Sequence, residues 1–377
     1  MKRICILILF LGFLLAGCTV NKKDDMEVRY FLLDTVFGDL NPQVTTIAKK
    51  DLYEKNPTIE DDLNAIVQRL DQYYSTSINT SKVYELNENS GKEPIEVSEE
   101  LIMVLKEAKR VSELSIVENK ALYDITIAPI VDLWDINNLR FSKTQMPEEI
   151  PTNEDILDLL DLVDYNNIII DEEAKTVLLK NEGMKIDLGS ILKGYAANLI
   201  RDYLKEVGIE IAIINVAGNI ITMGYNQTVG KDEKWQIKIQ TPDVRYGDES
   251  YFGYVSVNEI TAVTSGSYER FILGFDGKEY HHILDPRDGY PSDSDILSVT
   301  ILTQDSMTAD AMSTAIFALG LERGYEVVES LDSFDAIFVT KDKEIYVTSG
   351  IKNNFVYNSK VNAIGYVYKG VKNGTNN

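Results

Sequence analysis

Residues 167–216, NIIIDEEAKTVLLKNEGMKIDLGSILKGYAANLIRDYLKEVGIEIAIINV, decide the fold class. Two apolar runs, Asn167 to Asp171 and Thr176 to Lys180, flank an acidic turn and predict a hairpin. Lys185 to Leu188 reads as a short strand entering a Gly-Ser turn. Ser190 to Val207 then predicts a helix stopped by Gly208, and Ile211 to Val216 a further strand. Hairpins mixed with helices lack the strict alternation that builds a parallel sheet. They predict an α+β architecture, with largely antiparallel sheets and packed helices.

The same mixture continues outward. Glu27 to Phe37 predicts an early strand. Thr58 to Tyr73 predicts a helix, with Thr58 placed to cap it and Ile59, Leu63, Ile66, Val67 and Leu70 sharing a face. Ser98 to Ser115 is a second such helix and Asn153 to Val163 a third. Downstream, strands are predicted at Trp235 to Gln240, Tyr254 to Val257, Leu297 to Leu302, Ala336 to Thr340 and Glu344 to Val347. Thr308 to Leu319 predicts a helix ended by Gly320, with another running to Leu331. Asn137 to Thr152, carrying two prolines, is the clearest loop.

The N-terminus reads differently. Lys2 and Arg3 precede an apolar run, Ile4 to Leu15, that is too short for a comfortable membrane span. It ends in Leu15-Ala-Gly-Cys18, which looks like a bacterial lipobox. The expectation is a signal peptide over 1–17, cleavage before Cys18, and acylation of Cys18, palmitate among its chains, with a plain signal peptide or a short anchor as the bland alternative. Residues 18–26 then form a lipidated tether and place the body at the extracytoplasmic face of the cell membrane. Of the chain's 2 cysteines, Cys5 leaves with the signal and Cys18 carries lipid. The mature body keeps no thiol for a disulfide, a zinc–thiolate site or a nucleophile. A formal charge of −23 repels phosphate backbones, which disfavours nucleic-acid partners. Any nucleotide ligand must be held by local donors or a metal.

Several segments could carry chemistry. In Lys185 to Tyr195, a helix N-terminus offers free N–H groups to phosphate, and Lys193 in its first turn is a cation where the dipole alone would disfavour one. A surface lysine on an ordinary turn is the bland alternative. In Ala309 to Ala315, Asp310 and Thr314 lie four apart on one helix, so a carboxylate and a hydroxyl face the same way and suit a hard cation such as Mg²⁺. A simple helix cap would look the same. Glu279 to Pro291 holds the chain's 2 histidines, His281 and His282, beside Asp285. Val263 to Arg270 reads as a hydroxyl-rich turn entering a strand. Its Ser265 leaves a Ser-His-Asp hydrolase open, although no Gly-x-Ser-x-Gly elbow occurs there. Tyr123 to Trp134 sets Asp124 among aromatic and aliphatic residues, suited to a flat ring or to a core segment with a satisfied carboxylate.

The order of these segments resembles the ApbE family of FAD:protein FMN transferases over nearly the whole chain after the lipobox. The similarity runs through Leu33-Asp-Thr35, Leu70 to Ser77, Ser81, Asn87, Tyr123 to Thr126, Leu133-Trp134, Asp187 to Tyr195 and Asn215 to Asn219. It continues through Thr264 to Tyr268, His282 to Pro286 and Ala309 to Thr314. It implies an ApbE-like, T-fold-related domain over 27–360, followed by a C-terminal tail over 361–377. It also implies FAD contacts at Leu33, Thr76, Ser77, Ile78, Asp124, Lys193 and Leu284. Mg²⁺ would be held by Ser190, Asp310 and Thr314, and His282, not His281, would be catalytic. The implied reaction is Mg²⁺-dependent transfer of FMN from FAD to a threonine of an extracytoplasmic acceptor, an electron-transfer protein by analogy, with release of AMP. An FAD pyrophosphatase and a non-catalytic FAD-binding lipoprotein remain as alternatives. A solute-binding lipoprotein would need two α/β lobes. The chain departs from the family's frequent residues at Ala217, Asn219, Ser190 and Ala121-Leu122.

Overall fold

A computed structural model of the chain describes residues 25–35, 41–135, 149–230, 232–242, 244, 246–268 and 270–372. The lipobox, Cys18 and most of the loop predicted from Asn137 lie outside them.

Nine strands form the main sheet: Met26–Leu32 (β1), Gln43–Lys49 (β2), Ile211–Val216 (β3), Asn219–Met223 (β4), Thr261–Gly266 (β5), Ile296–Thr303 (β6), Asp335–Thr340 (β7), Glu344–Val347 (β8) and Val367–Val371 (β9). They lie side by side in chain order. Every neighbouring pair is antiparallel except β8 and β9. The predicted architecture is therefore the observed one. Helices, hairpins and a second sheet are inserted between successive strands. The helices used below are Ile59–Tyr74 (α1), Lys82–Glu88 (α2), Glu99–Leu114 (α3), Leu192–Glu206 (α4) and Ser306–Glu329 (α5).

The middle of the sheet is buried on both faces, which is why β7 reads as the unbroken apolar run Ala336-Ile-Phe-Val339. Ala336 and Phe338 join the core shared with the helices. Ile337 and Val339 join a second core, beneath a smaller sheet of Trp235–Gln240, Tyr251–Val257 and Phe355–Tyr357. The alternation follows from the two-residue period of a strand.

Several local readings differ from the sequence expectations. Thr58 does not cap α1; its hydroxyl donates to Asp62 Oδ2 at 2.8 Å. Ser98 does cap α3, accepting from Leu101 N–H. Residues 184–188 form no strand: the stretch is extended but has no sheet edge beside it, and α4 starts at Leu192. Val263 to Gly266 belongs to a strand in the middle of the sheet, not to a turn entering one. Residues 361–371, expected within a tail, form the end of a helical turn and then β9, because β8 offers a free edge for parallel pairing. The break predicted at Gly320 is present: its φ of 75° lies outside the helical range, and Leu321 N–H turns to Asp295 Oδ1 at 2.9 Å.

Helices α4 and α5 cross at Gly194, and the crossing leaves no room for a side chain. A Cβ there would lie 1.9 Å from the Ser306 carbonyl oxygen and 2.8 Å from Asp310 Cβ. Both atoms sit on a packed helix, so the strain cannot be relieved cheaply. Gly194→Ala is expected to cost roughly 3 kcal/mol as overpacking. Urea unfolding measures this, and an unchanged midpoint would show that the crossing is looser than described.

Candidate active site

The site is assembled at one end of the sheet, where Leu33 follows β1, the β3–β4 turn closes, and β5 ends. The lead-in to α4 is held from outside. Asn87, on α2, donates from Nδ2 to the Ile186 carbonyl (3.0 Å) and accepts from Ile186 N–H at Oδ1 (2.8 Å), imitating a strand partner. Asp187 N–H donates to the Ile125 carbonyl at 2.9 Å. The first turn of α4 has no side-chain cap of its own. Asp310 of α5 supplies one, with Gly194 N–H donating to its Oδ2 at 3.0 Å. Asp310 is only 4 % exposed.

Around this contact the oxygen-bearing groups converge. Lys193 Nζ donates to the Gly189 carbonyl and lies 3.9 Å from Asp310 Oδ1. A cation in the first turn is thus balanced from the neighbouring helix. The Ser190 hydroxyl donates to Tyr123 OH at 3.2 Å. Burial pushes the Tyr123 phenol up, and the nearby Asp310 and Asp124 carboxylates add to that. Ser313 Oγ donates to the Asp310 carbonyl at 2.8 Å and shares a hydrogen bond with Ser265 Oγ at 2.8 Å. Thr314, one turn beyond Asp310, is partly exposed.

His282 sits just past the short hairpin Phe271–Leu273/Glu279–His281. Its backbone N–H and its Nδ1 both meet the Arg270 carbonyl, at 3.1 and 3.2 Å. A carbonyl only accepts, so Nδ1 carries the proton and Nε2 keeps its lone pair. Burial, then the charges of Arg270 and His281, push the imidazole down to about 3, and Lys193 acts in the same direction. His282 therefore lies within the electrostatic reach of the α4 cluster. His281 is engaged elsewhere. Its Nε2 meets the Ser292 carbonyl at 3.1 Å and its ring stands edge-on to Phe317, and burial pushes it down to about 4.

The remaining residues singled out from the sequence are spread around this centre. Asp124 is buried, and both of its oxygens are taken by protein donors: Thr126 N–H and Oγ1 at 2.9 and 2.6 Å, and Tyr165 N–H at 2.8 Å. It clamps the segment carrying Tyr123. Leu33 is in the main core, and the residue after it is tied to α1 through Gln68 and Asn64. Thr76 and Ser77 are exposed and Ile78 half-buried, a few residues after Tyr74, whose ring meets Tyr195 of α4 at 6.5 Å. Leu284 packs in a separate small core with Ile130, Trp134, Ile156, Val163 and Ile272. Sequence reasoning missed the Asn87 clamp, the Gly194 crossing, the Tyr123 hydroxyl and the Ser265–Ser313 pair. Asn87 stood in a recognised motif, and the Lys-Gly-Tyr step at 193–195 was the visible signal for the crossing.

The donor set fits a hard cation. It offers a carboxylate with one oxygen turned to Gly194, two hydroxyl side chains and backbone carbonyls. Among the described residues, no group of three or more His, Cys, Asp or Glu side chains converges as a metal site. A cation here would rely on ligand oxygens in addition to the protein's own.

Fold and cluster together define an α+β protein of mostly antiparallel sheet, with an oxygen-rich centre at a helix N-terminus. The ApbE family profile matches residues 42–338, and the chain belongs to that family. It is 34% identical over 299 residues to an FAD:protein FMN transferase of Klebsiella pneumoniae, covering 79% of this chain and 87% of the relative. Its identity to a Vibrio cholerae protein of the same description is 29%, covering 72% and 77%. Among solved structures, the flavin transferase ApbE from Vibrio cholerae superposes with a TM-score of 0.73 at 25% identity, covering 87% of this chain and 99% of that one. The apbe protein from Thermotoga maritima gives 0.72 at 27% identity, covering 86% and 99%.

Proposed function

We propose that the protein transfers FMN from FAD to a threonine hydroxyl of an acceptor protein and releases AMP, with Mg²⁺ as cofactor. The observation that carries this reading is the convergence of Lys193, Ser190 and Asp310 at the α4 N-terminus, with His282 within electrostatic reach of Lys193. Membership of a family whose relatives bear the transferase description supports it.

In the step proposed, the threonine oxygen attacks the FMN-side phosphorus of the diphosphate. The bond from that phosphorus to the bridging oxygen breaks, and AMP departs with the bridging oxygen. The hydroxyl proton passes to His282 Nε2, which the Arg270 carbonyl leaves free to accept. Bound diphosphate would offset the positive charges of Arg270 and Lys193 and so raise the basicity of His282. Lys193 holds phosphate charge, and the α4 N-terminus orients it. Mg²⁺ held by Asp310, Thr314 and Ser190 would neutralise charge developing on the diphosphate.

The acceptor we infer is an extracytoplasmic electron-transfer protein, met by an enzyme held at the membrane through lipid on Cys18. The apolar run ending in Leu15-Ala-Gly-Cys18 supports the anchor. No helix among the described residues is long and apolar enough to cross a membrane.

The test mixes the protein with FAD, Mg²⁺ and a threonine-bearing acceptor domain. Flavin that stays on the acceptor after denaturation, with AMP released in equal amount, is the expected result. Free FMN and AMP, equally abundant with and without acceptor, would replace the transferase reading by a pyrophosphatase.

A further inference from the structure

The β3–β4 turn carries an amide that no described residue of the protein satisfies. Asn219, the first residue of β4, is 2 % exposed, and its Nδ2 has no hydrogen-bond acceptor among the described residues. An unmet buried amide is costly. The turn before it has both central residues left-handed, Ala217 at φ 50° and Gly218 at φ 96°, with Asn215 Oδ1 accepting from Gly218 N–H at 2.9 Å.

Its placement points to the site. Strand alternation puts Asn219 on the face of Ile221 and Met223, which pack in the core with α4 and α5. The pairing of Ile220 with Ala262 sets Asn219 level with Val263, with Ser265 the next residue along β5 on that face. Ser265 is bonded to Ser313, which is bonded to Asp310. Above the turn, a Cβ added at Gly218 would meet nothing within 4 Å.

We propose that Asn219 is a substrate-binding residue whose Nδ2 donates to an oxygen of the flavin dinucleotide. This rests on the flavin-transfer reading and deepens it.

The experiment measures FAD affinity by flavin fluorescence, and melting without FAD, for the unaltered protein and Asn219→Ala. Asn219→Ala removes a donor that has no protein partner among the described residues. The apoprotein should melt no lower than the unaltered one, while FAD binds roughly tenfold more weakly. Repeating the titration with FMN and with AMP shows which half of the dinucleotide carries the loss. Equal FAD affinity in Asn219→Ala, or a lowered melting point with affinity intact, would overturn the assignment and leave flavin transfer standing. Failure of the unaltered protein to bind FAD would sink both.

Discussion

Asp310→Asn is expected to reduce Mg²⁺-dependent AMP release by roughly 10²-fold or more, while the protein melts as before. The substitution keeps an oxygen for Gly194 N–H, whose bond to Asp310 Oδ2 joins the start of α4 to α5. It removes the negative charge that faces Lys193 at 3.9 Å and that a divalent cation would need. Activity and folding therefore separate. Asp310→Ala should lose both, because a buried N–H is left without its acceptor beside a crossing that tolerates no slack. Turnover that survives in Asp310→Asn at unchanged Mg²⁺ would move the metal elsewhere.

The second large effect is at His282. His282→Ala should retain FAD and lose transfer by roughly 10²- to 10⁴-fold, the usual worth of a positioned base. Single-turnover transfer to the acceptor, read beside FAD affinity, separates the two. Full transfer in the variant would assign the proton to another group. The same residue leaves a mark on stability. Its imidazole ordinarily titrates at 6.5 and is held down to about 3 in the fold. Between those values the unfolded chain binds a proton that the native protein refuses, so stability falls as pH drops from 6.5 toward 3 and is fully present above 6.5. His281, held down to about 4, acts in the same sense. Melting should therefore fall between pH 7 and pH 5, and less steeply in His282→Gln than in the unaltered protein. Parallel curves would contradict the burial assigned to His282.

The parts of this molecule that could be read in the sequence are those whose signal is local. The faces of α1 and α3 follow from apolar spacing, and Asp310 and Thr314 share a helix face by spacing alone. The bond from Asp310 to Gly194 spans 116 positions, and that from Asn87 to Ile186 spans 99. No periodicity encodes such distances. Strand β2 escaped notice because Thr45 and Thr46 interrupt its apolar pattern, although Thr46 is buried and bonded to the Tyr53 hydroxyl at 2.7 Å. The stretch before α4 looked like a strand because its apolar residues are buried against helices. A side chain, not a neighbouring strand, meets its backbone. The hydroxyls of β5 suggested a turn for the opposite reason: Thr264 and Ser265 are polar in mid-sheet because Thr300 and Ser313 receive them.

β1 begins at Met26, opposite Lys49, and ends at Leu32, one residue before Leu33 at the rim of the candidate site. Attachment at Cys18 would thus pull on one end of the sheet's strands while the chemistry takes place at the opposite end. Seven strand residues span about 23 Å, and the eight positions from Cys18 to Met26 add at most roughly 28 Å. Such a leash would set a ceiling of about 50 Å on how far above the bilayer a target threonine could stand and still be reached. A partner whose threonine hugs the lipid surface would be served only by an enzyme lying on its side.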